Sequence, residues 1–137
     1  MNALYQRLTK VLARKNLRLT KPRLAIFTAL CEAHDSLALS EISRQVPDID
    51  RATVYRTLEL FCSLGVAQQV NLGFKRKYEL AAPYHAHHHH LYCDGCGLVI
   101  SFDSSSLEQL LEYIAAQKGI RLSSHSLELS GRCKDCQ

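Results

Sequence analysis

The sequence predicts an α+β chain built from two small units, helical in front and strand-rich behind. Three observations predict it. Apolar residues recur at helical spacing through the front, and short alternating runs take over from Val66 onward. Charge divides in the same way: residues 1–83 carry 13 Lys/Arg against 7 Asp/Glu, net +6, while residues 84–137 carry 4 against 6, net −2. Metal-ligating residue types also divide, because every histidine except His34 and four of the six cysteines lie in the second region. A basic front suits contact with a polyanion, and a back rich in His and Cys suits holding a metal.

Leu4, Leu8, Val11 and Leu12 share one face of a first helix whose other faces carry Arg7, Lys10, Arg14 and Lys15. Thr20-Lys-Pro caps and opens a second helix, continued by Leu24, Ile26, Phe27 and Leu30. Ser40 is the expected cap of a short third helix holding Ile42 and Val46 and stopped near Pro47. Asp50 opens a fourth, with Val54, Leu58, Phe61 and Cys62 on its apolar side and Gly65 as its stop. Val66–Val70 and Lys77–Leu80 then read as strands around the turn Asn71-Leu-Gly-Phe. Short helices followed by a hairpin give the order of a winged helix-turn-helix, and Pro83-Tyr84 marks the expected boundary, so the units are 1–83 and 84–137. In the second, His87–Tyr92 and Leu98–Phe102 read as strands, Ser104–Lys118 as a helix with a Leu107, Leu110, Leu111, Ile114 stripe, and His125–Leu129 as a last strand. So thin a core calls for a metal or a second subunit to support it.

No apolar run approaches the roughly 18 residues that span a membrane, and the opening MNALYQRLTK lacks the apolar core of a signal peptide. A cytoplasmic location is expected, and a reducing compartment turns the cysteines from disulfides toward metal ligation. Cys93-Asp-Gly-Cys96 and Cys133-Lys-Asp-Cys136 are two C-x-x-C pairs. Two intervening residues let paired thiolates converge on one ion, and four thiolates close a tetrahedral structural zinc site. The alternatives are unrelated thiol pairs or a redox C-x-x-C, but the redox motif belongs in front of a helix in a βαβ setting that is absent. Cys31 and Cys62, on apolar helix faces, read as packing residues.

His87, His88, His89 and His90 are consecutive, with His85 just before. On a strand, His87 and His89 point one way and His88 and His90 the other, so the run can feed two ions. Glu79, Glu108, His125 and His34 are candidates to complete the two sets. Imidazole suits several divalent metals and selects poorly among them. Templates for catalysis fail: no H-x-E, H-E-x-x-H, Walker A or G-x-S-x-G occurs.

With these pieces placed, the chain resembles the ferric uptake regulator family over nearly its whole length. The stretches that carry the resemblance are LRLTKPRLAIFTAL (17–30), ATVYRTLELFCSLGV (52–66), YEL (78–80), HHHHLYCDGCG (87–97) and GIRLSSHSLELSGRCKDC (119–136). The resemblance implies a homodimeric, metal-dependent repressor that binds double-stranded operator DNA through the front unit and dimerises through the back. It implies Cys93, Cys96, Cys133 and Cys136 as structural Zn2+ ligands. His87, His89, Glu108 and His125 match a site within the dimerisation domain, and Glu79, His88 and His90, with His34, a regulatory hinge site for Fe2+ or Zn2+. Arg51, Thr53, Tyr55 and Arg56 fall on the recognition helix, and Arg18 matches a minor-groove residue. Three departures soften the donor set: the usual front-domain histidine aligns nearest Ser36, Ser101 replaces a common Asp/Glu, and His89 stands where iron-type members carry Asp. More imidazole and fewer carboxylates favour zinc, with iron as the other effector. Two other functions remain: a peroxide sensor of the same family, and a metal buffer that binds no DNA.

Overall fold

The structure, a computed structural model, describes residues 2–137. The chain forms two compact units, the first ending at Ala86 and the second spanning His87–Gln137. The division falls three residues after the expected one because Tyr84 belongs to the first core: its ring meets Phe27 edge-on at 5.7 Å. Among the described residues, no helix is long and apolar enough to cross a membrane.

The first unit runs α1 (Asn2–Ala13), α2 (Lys21–Glu32), β1 (Leu37–Ala38), α3 (Leu39–Gln45), α4 (Arg51–Ser63), β2 (Ala67–Leu72) and β3 (Lys75–Leu80). Its three strands lie in the order β1-β3-β2, all antiparallel. The helical stripes meet as their spacing requires: Leu8, Leu12, Ile26, Phe27, Ile42, Val54, Leu58 and Phe61 are fully buried in one cluster. Phe27 is its hub, with edge contacts to Tyr5 at 5.6 Å and Phe61 at 6.2 Å as well as Tyr84. Each such side chain contributes about 2 kcal/mol through burial.

Several local expectations change. The cap of α3 is Ala38 rather than Ser40, because β1 delivers the chain there and Glu41 Oε2 accepts the Ala38 N–H at 2.6 Å. Thr20 occupies the cap position of α2 without a side-chain cap bond, leaving Pro22 to set the first turn. α4 ends as expected: Gly65 takes φ +67°, and Val66 N–H reaches back to Phe61 C=O at 2.8 Å, the left-handed closure a side chain would oppose. The hairpin strand β2 runs on to Leu72, so the turn is only Gly73-Phe74.

The second unit comprises β4 (His89–Cys93), β5 (Val99–Phe102), α5 (Ser105–Gln117) and β6 (Glu128–Gly131), with sheet order β5-β4-β6 and a parallel β4–β6 pair. Ser104 caps α5, its Oγ accepting from Leu107 N–H at 3.3 Å. The last strand starts later than expected; His125 lies in the extended approach to it, and His87 and His88 precede β4. α5 has no buried residue, and Leu110, Tyr113, Ile114 and Ile120 are about half exposed.

Candidate metal centres and nucleic-acid face

The first turn of the second unit places Cys93 and Cys96 on either side of Gly95, while the chain terminus returns with Cys133 and Cys136. Their four sulfurs lie within 4.8 Å of one another. Cys96 Sγ and Cys133 Sγ are 3.8 Å apart, the separation expected, about 3.8 Å, for a tetrahedron with metal–sulfur bonds of ~2.3 Å. Gly95 is part of the cradle: a Cβ there would lie 2.9 Å from both Cβ and Sγ of Cys136. Backbone N–H groups, that of Cys133 first and then that of Cys96, lower the Cys93 thiol to about 6. The neighbouring sulfurs of Cys133, Cys93 and Cys96 push Cys136 up to about 12. Four thiols so close cannot all ionise alone, and a divalent cation removes the conflict. The donor set therefore fits a closed thiolate site. Arg132 braces the two knuckles, with Nε 3.7 Å from Asp94 Oδ1 and Nη1 donating to Cys136 C=O at 3.4 Å.

The second cluster joins the start of β4, α5 and the approach to β6. Glu108 Oε1 lies 2.6 Å from His89 Nε2 and 3.4 Å from His87 Nε2, and its Oε2 lies 3.1 Å from His125 Nε2. His87 Nε2 and His125 Nε2 face each other at 3.0 Å. The hydrogen bond with His89, and then the charges of His125 and His87, hold the Glu108 carboxyl below its ordinary range against desolvation. Three imidazole nitrogens turned toward one carboxylate could hold a first-row divalent ion. His89 is buried against Phe102, ring centroids 5.6 Å apart, which fixes its plane.

The pairing expected of the histidine run is present in the rings, although only His89 and His90 lie on β4. His87 pairs with His89 at 4.7 Å between ring centroids, and His88 with His90 at 4.8 Å. Glu79, on β3, stands opposite Gln68 of β2, whose Nε2 donates to Glu79 Oε1 at 2.6 Å. His34 is exposed in the bend after α2 and joins no cluster of His, Cys, Asp and Glu among the described residues. Cys31 and Cys62 are partly buried, and burial raises both thiols, which disfavours the reactive thiolate.

On the first unit, α4 buries Val54, Thr57, Leu58 and Phe61 and turns Arg51, Tyr55 and Arg56 to solvent. Asp50 caps it, accepting from Thr53 N–H at 2.9 Å and from Thr53 Oγ1 at 2.6 Å, and these bonds hold the Asp50 carboxyl low. Arg56 Nη2 donates to Thr53 Oγ1 at 3.2 Å. The Thr53 hydroxyl thus bridges Asp50 and Arg56. Arg18 is exposed, its carbonyl accepting from Arg23. Lys77 does not lie along the outside of the hairpin with Lys75 and Arg76. Its Nζ turns inward to Ser36 C=O at 3.3 Å and Glu41 Oε2 at 3.9 Å. Sequence reasoning missed Gln68, the partner of Glu79, which was within reach once the Gly73 turn set the register.

A helix-turn-helix with a wing, joined to a unit whose polar clusters have metal-ligand chemistry, is the architecture of metal-binding transcription regulators. The chain belongs to the ferric uptake regulator family, whose profile matches residues 14–130. It is 39% identical over 131 residues to the ferric uptake regulation protein of Yersinia pestis, covering 91% of this chain and 87% of that one. Its fold is similar to the Vibrio cholerae ferric uptake regulator, with 33% identity, TM-score 0.74, and coverage of 91% and 98% of the two chains. It is also similar to the Pseudomonas aeruginosa regulator solved with manganese, with 28% identity, TM-score 0.79, and coverage of 90% and 95%. Proteins of this family are transcription regulators, not enzymes.

Proposed function

We propose that this chain is a metal-responsive repressor that binds operator DNA as a homodimer and controls genes of iron or zinc homeostasis. The observation that carries the reading is the convergence of His87, His89 and His125 on Glu108 in a chain whose other unit presents Tyr55 and Arg56 on α4. In a major groove, Arg56 would take a guanine edge or a phosphate and Tyr55 a thymine methyl, with each good base contact worth about 1–3 kcal/mol. Arg18, at the entrance to α2, would reach the minor groove, and Arg51 a phosphate.

Cys93, Cys96, Cys133 and Cys136 would hold a structural zinc ion. Glu79, His88 and His90 would form the regulatory hinge site, with His34 entering it only if its bend rearranges. When bound there, a divalent ion supplies a cross-link between imidazole and carboxylate ligands drawn from both units. Those ligands would then fix the separation of the two α4 helices in a dimer, and one separation matches half-sites a helical turn apart. The exposed apolar side chains Leu110, Tyr113 and Ile114 of α5 support dimerisation through the second unit. The imidazole-rich donors favour zinc as effector over harder ions, with iron the other effector. Peroxide sensing through Cys31 or Cys62 is the weaker reading, since burial disfavours both thiolates.

The test is operator binding measured metal by metal on protein whose cysteine site stays loaded. His88→Ala and Glu79→Ala should abolish the metal response. Linkage requires metal affinity to rise when operator is present. Equal metal affinity with and without operator would overturn the gating reading.

A further inference from the structure

β2 carries two adjacent glutamines, Gln68 and Gln69. Successive strand residues turn to opposite faces, so the two serve different ends. Gln69 Nε2 donates along its own strand, to Asn71 Oδ1 at 3.2 Å. Gln68 stands directly opposite Glu79 in the β2–β3 register, where side chains of an antiparallel pair meet. Its Nε2 donates to Glu79 Oε1 at 2.6 Å, a short bond of the charge-assisted kind. Glu79 is only 8% exposed. An ionised carboxylate only accepts, so the amide must face it with N–H rather than with oxygen. Gln68 itself is exposed and lies outside the apolar cluster of the first unit. Its amide therefore holds Glu79 and not the core.

In the hinge site proposed above, Glu79 is the one carboxylate beside the imidazoles of His88 and His90. A carboxylate can supply one ligand oxygen or two. That choice matters to the ion, because zinc closes at four ligands whereas manganese favours six, largely oxygen.

We propose that Gln68 sets the metal selectivity of the hinge site by holding Oε1 and restricting Glu79 to ligation through Oε2. The proposal rests on the hinge-site reading and deepens it. With one oxygen committed to the amide, Glu79 adds a single donor to the two imidazoles. That count suits a four-coordinate ion and leaves a six-coordinate ion short of donors. The bond also orients the carboxylate before an ion arrives, so less ordering remains for binding. Gln68 touches no metal. It is a positioning residue that acts through Glu79.

The test titrates zinc, cobalt and manganese, each against a competing chelator, into the full chain with its cysteine site already loaded with zinc. Gln68→Met keeps the length and removes the donor, and Gln68→Val does so with a side chain suited to a strand. Both should lower zinc affinity by about tenfold, the lower end of losses from outer-shell changes. Manganese affinity should hold or rise. Cobalt absorption should weaken from its four-coordinate intensity toward that of a higher coordination number. Any ion at Glu108 contributes alike to parent and variant and cancels in the difference. His88→Ala removes the hinge site, and in that background Gln68→Met should change nothing. If His88→Ala lowers metal binding while both Gln68 variants keep the parent zinc-to-manganese ratio and cobalt spectrum, the selectivity role is wrong and the hinge reading stands. An equal loss for all three metals with an unchanged cobalt spectrum would also overturn it, leaving Gln68 a general brace. If His88→Ala itself binds metal like the parent chain, the hinge reading falls and takes the proposal with it.

Discussion

The two units bury opposite kinds of side chain. Residues 2–86 close over an apolar cluster centred on Phe27, Ile26, Leu58 and Phe61. In His87–Gln137 the buried side chains are His89, His90 and Cys93. One unit buries what water rejects, the other buries groups with metal-ligand and proton-binding chemistry. A helix in the first unit therefore finds its own partner surface. α5 in the second leaves Leu110, Tyr113 and Ile114 facing solvent, the face that the proposed dimer would cover. In the proposed function, the labour divides the same way: the first unit would read DNA with its own core intact, and a second unit stabilised by bound metal would report that metal.

The sharpest way to break the contrast is to remove the proposed structural ion. A strong chelator under reducing conditions, or Cys93→Ser, should unfold nearly all of His87–Gln137 while the first unit keeps its helices. Residue-resolved amide NMR separates the two, and a second unit still folded after either treatment would mean that the thiolate site is not structural. The reciprocal change is Phe27→Ala, which empties the hub touched by Tyr5, Phe61 and Tyr84. It should cost the first unit about 3–5 kcal/mol in denaturant unfolding. The tetrathiolate should persist, as cobalt-substituted absorbance would report. Next in size is the exposed face of α5. Leu110→Glu should weaken self-association by about thirtyfold, the effect of losing ~2 kcal/mol at an interface hot spot. Sedimentation at several concentrations measures it, and an unchanged dimer would move the interface elsewhere.

Legibility in the sequence follows the same divide. Helices stabilised by their own apolar stripes announce themselves by period, so α1, α2 and α4 form over the stripes that predict them. The C-x-x-C pairs announce chemistry because ligand spacing is local. What the sequence hid depends on contacts between distant segments. β1 is two residues long and exists only because β3 pairs with it, Leu37 opposite Tyr78. Its presence moved the α3 cap from Ser40 to Ala38. Lys77 carries the same charge as Lys75, and only the fold distinguishes an inward anchor from an outward contact. His125 read as a strand residue because its neighbours alternate, yet pairing begins only at Glu128. The approach to that strand instead swings the imidazole to Glu108.

The smallest effect lies within α4 and separates positioning from contact. Thr53 Oγ1 donates to Asp50 and accepts from Arg56, so its hydroxyl sits between the cap of the helix and the side chain proposed to read DNA. Thr53→Val keeps the volume and removes both bonds while the Asp50 bond to the backbone N–H can remain. A hydrogen bond of this kind is worth about 1 kcal/mol, which sets the expected loss of operator affinity at roughly fivefold. If Thr53 acts through Arg56, the double variant Thr53→Val with Arg56→Ala should bind no more weakly than Arg56→Ala alone, and the cycle will show coupling. Independent, additive losses would instead make Thr53 a direct DNA contact. The helix would then carry one more reader and lack the internal brace that now joins its first two turns.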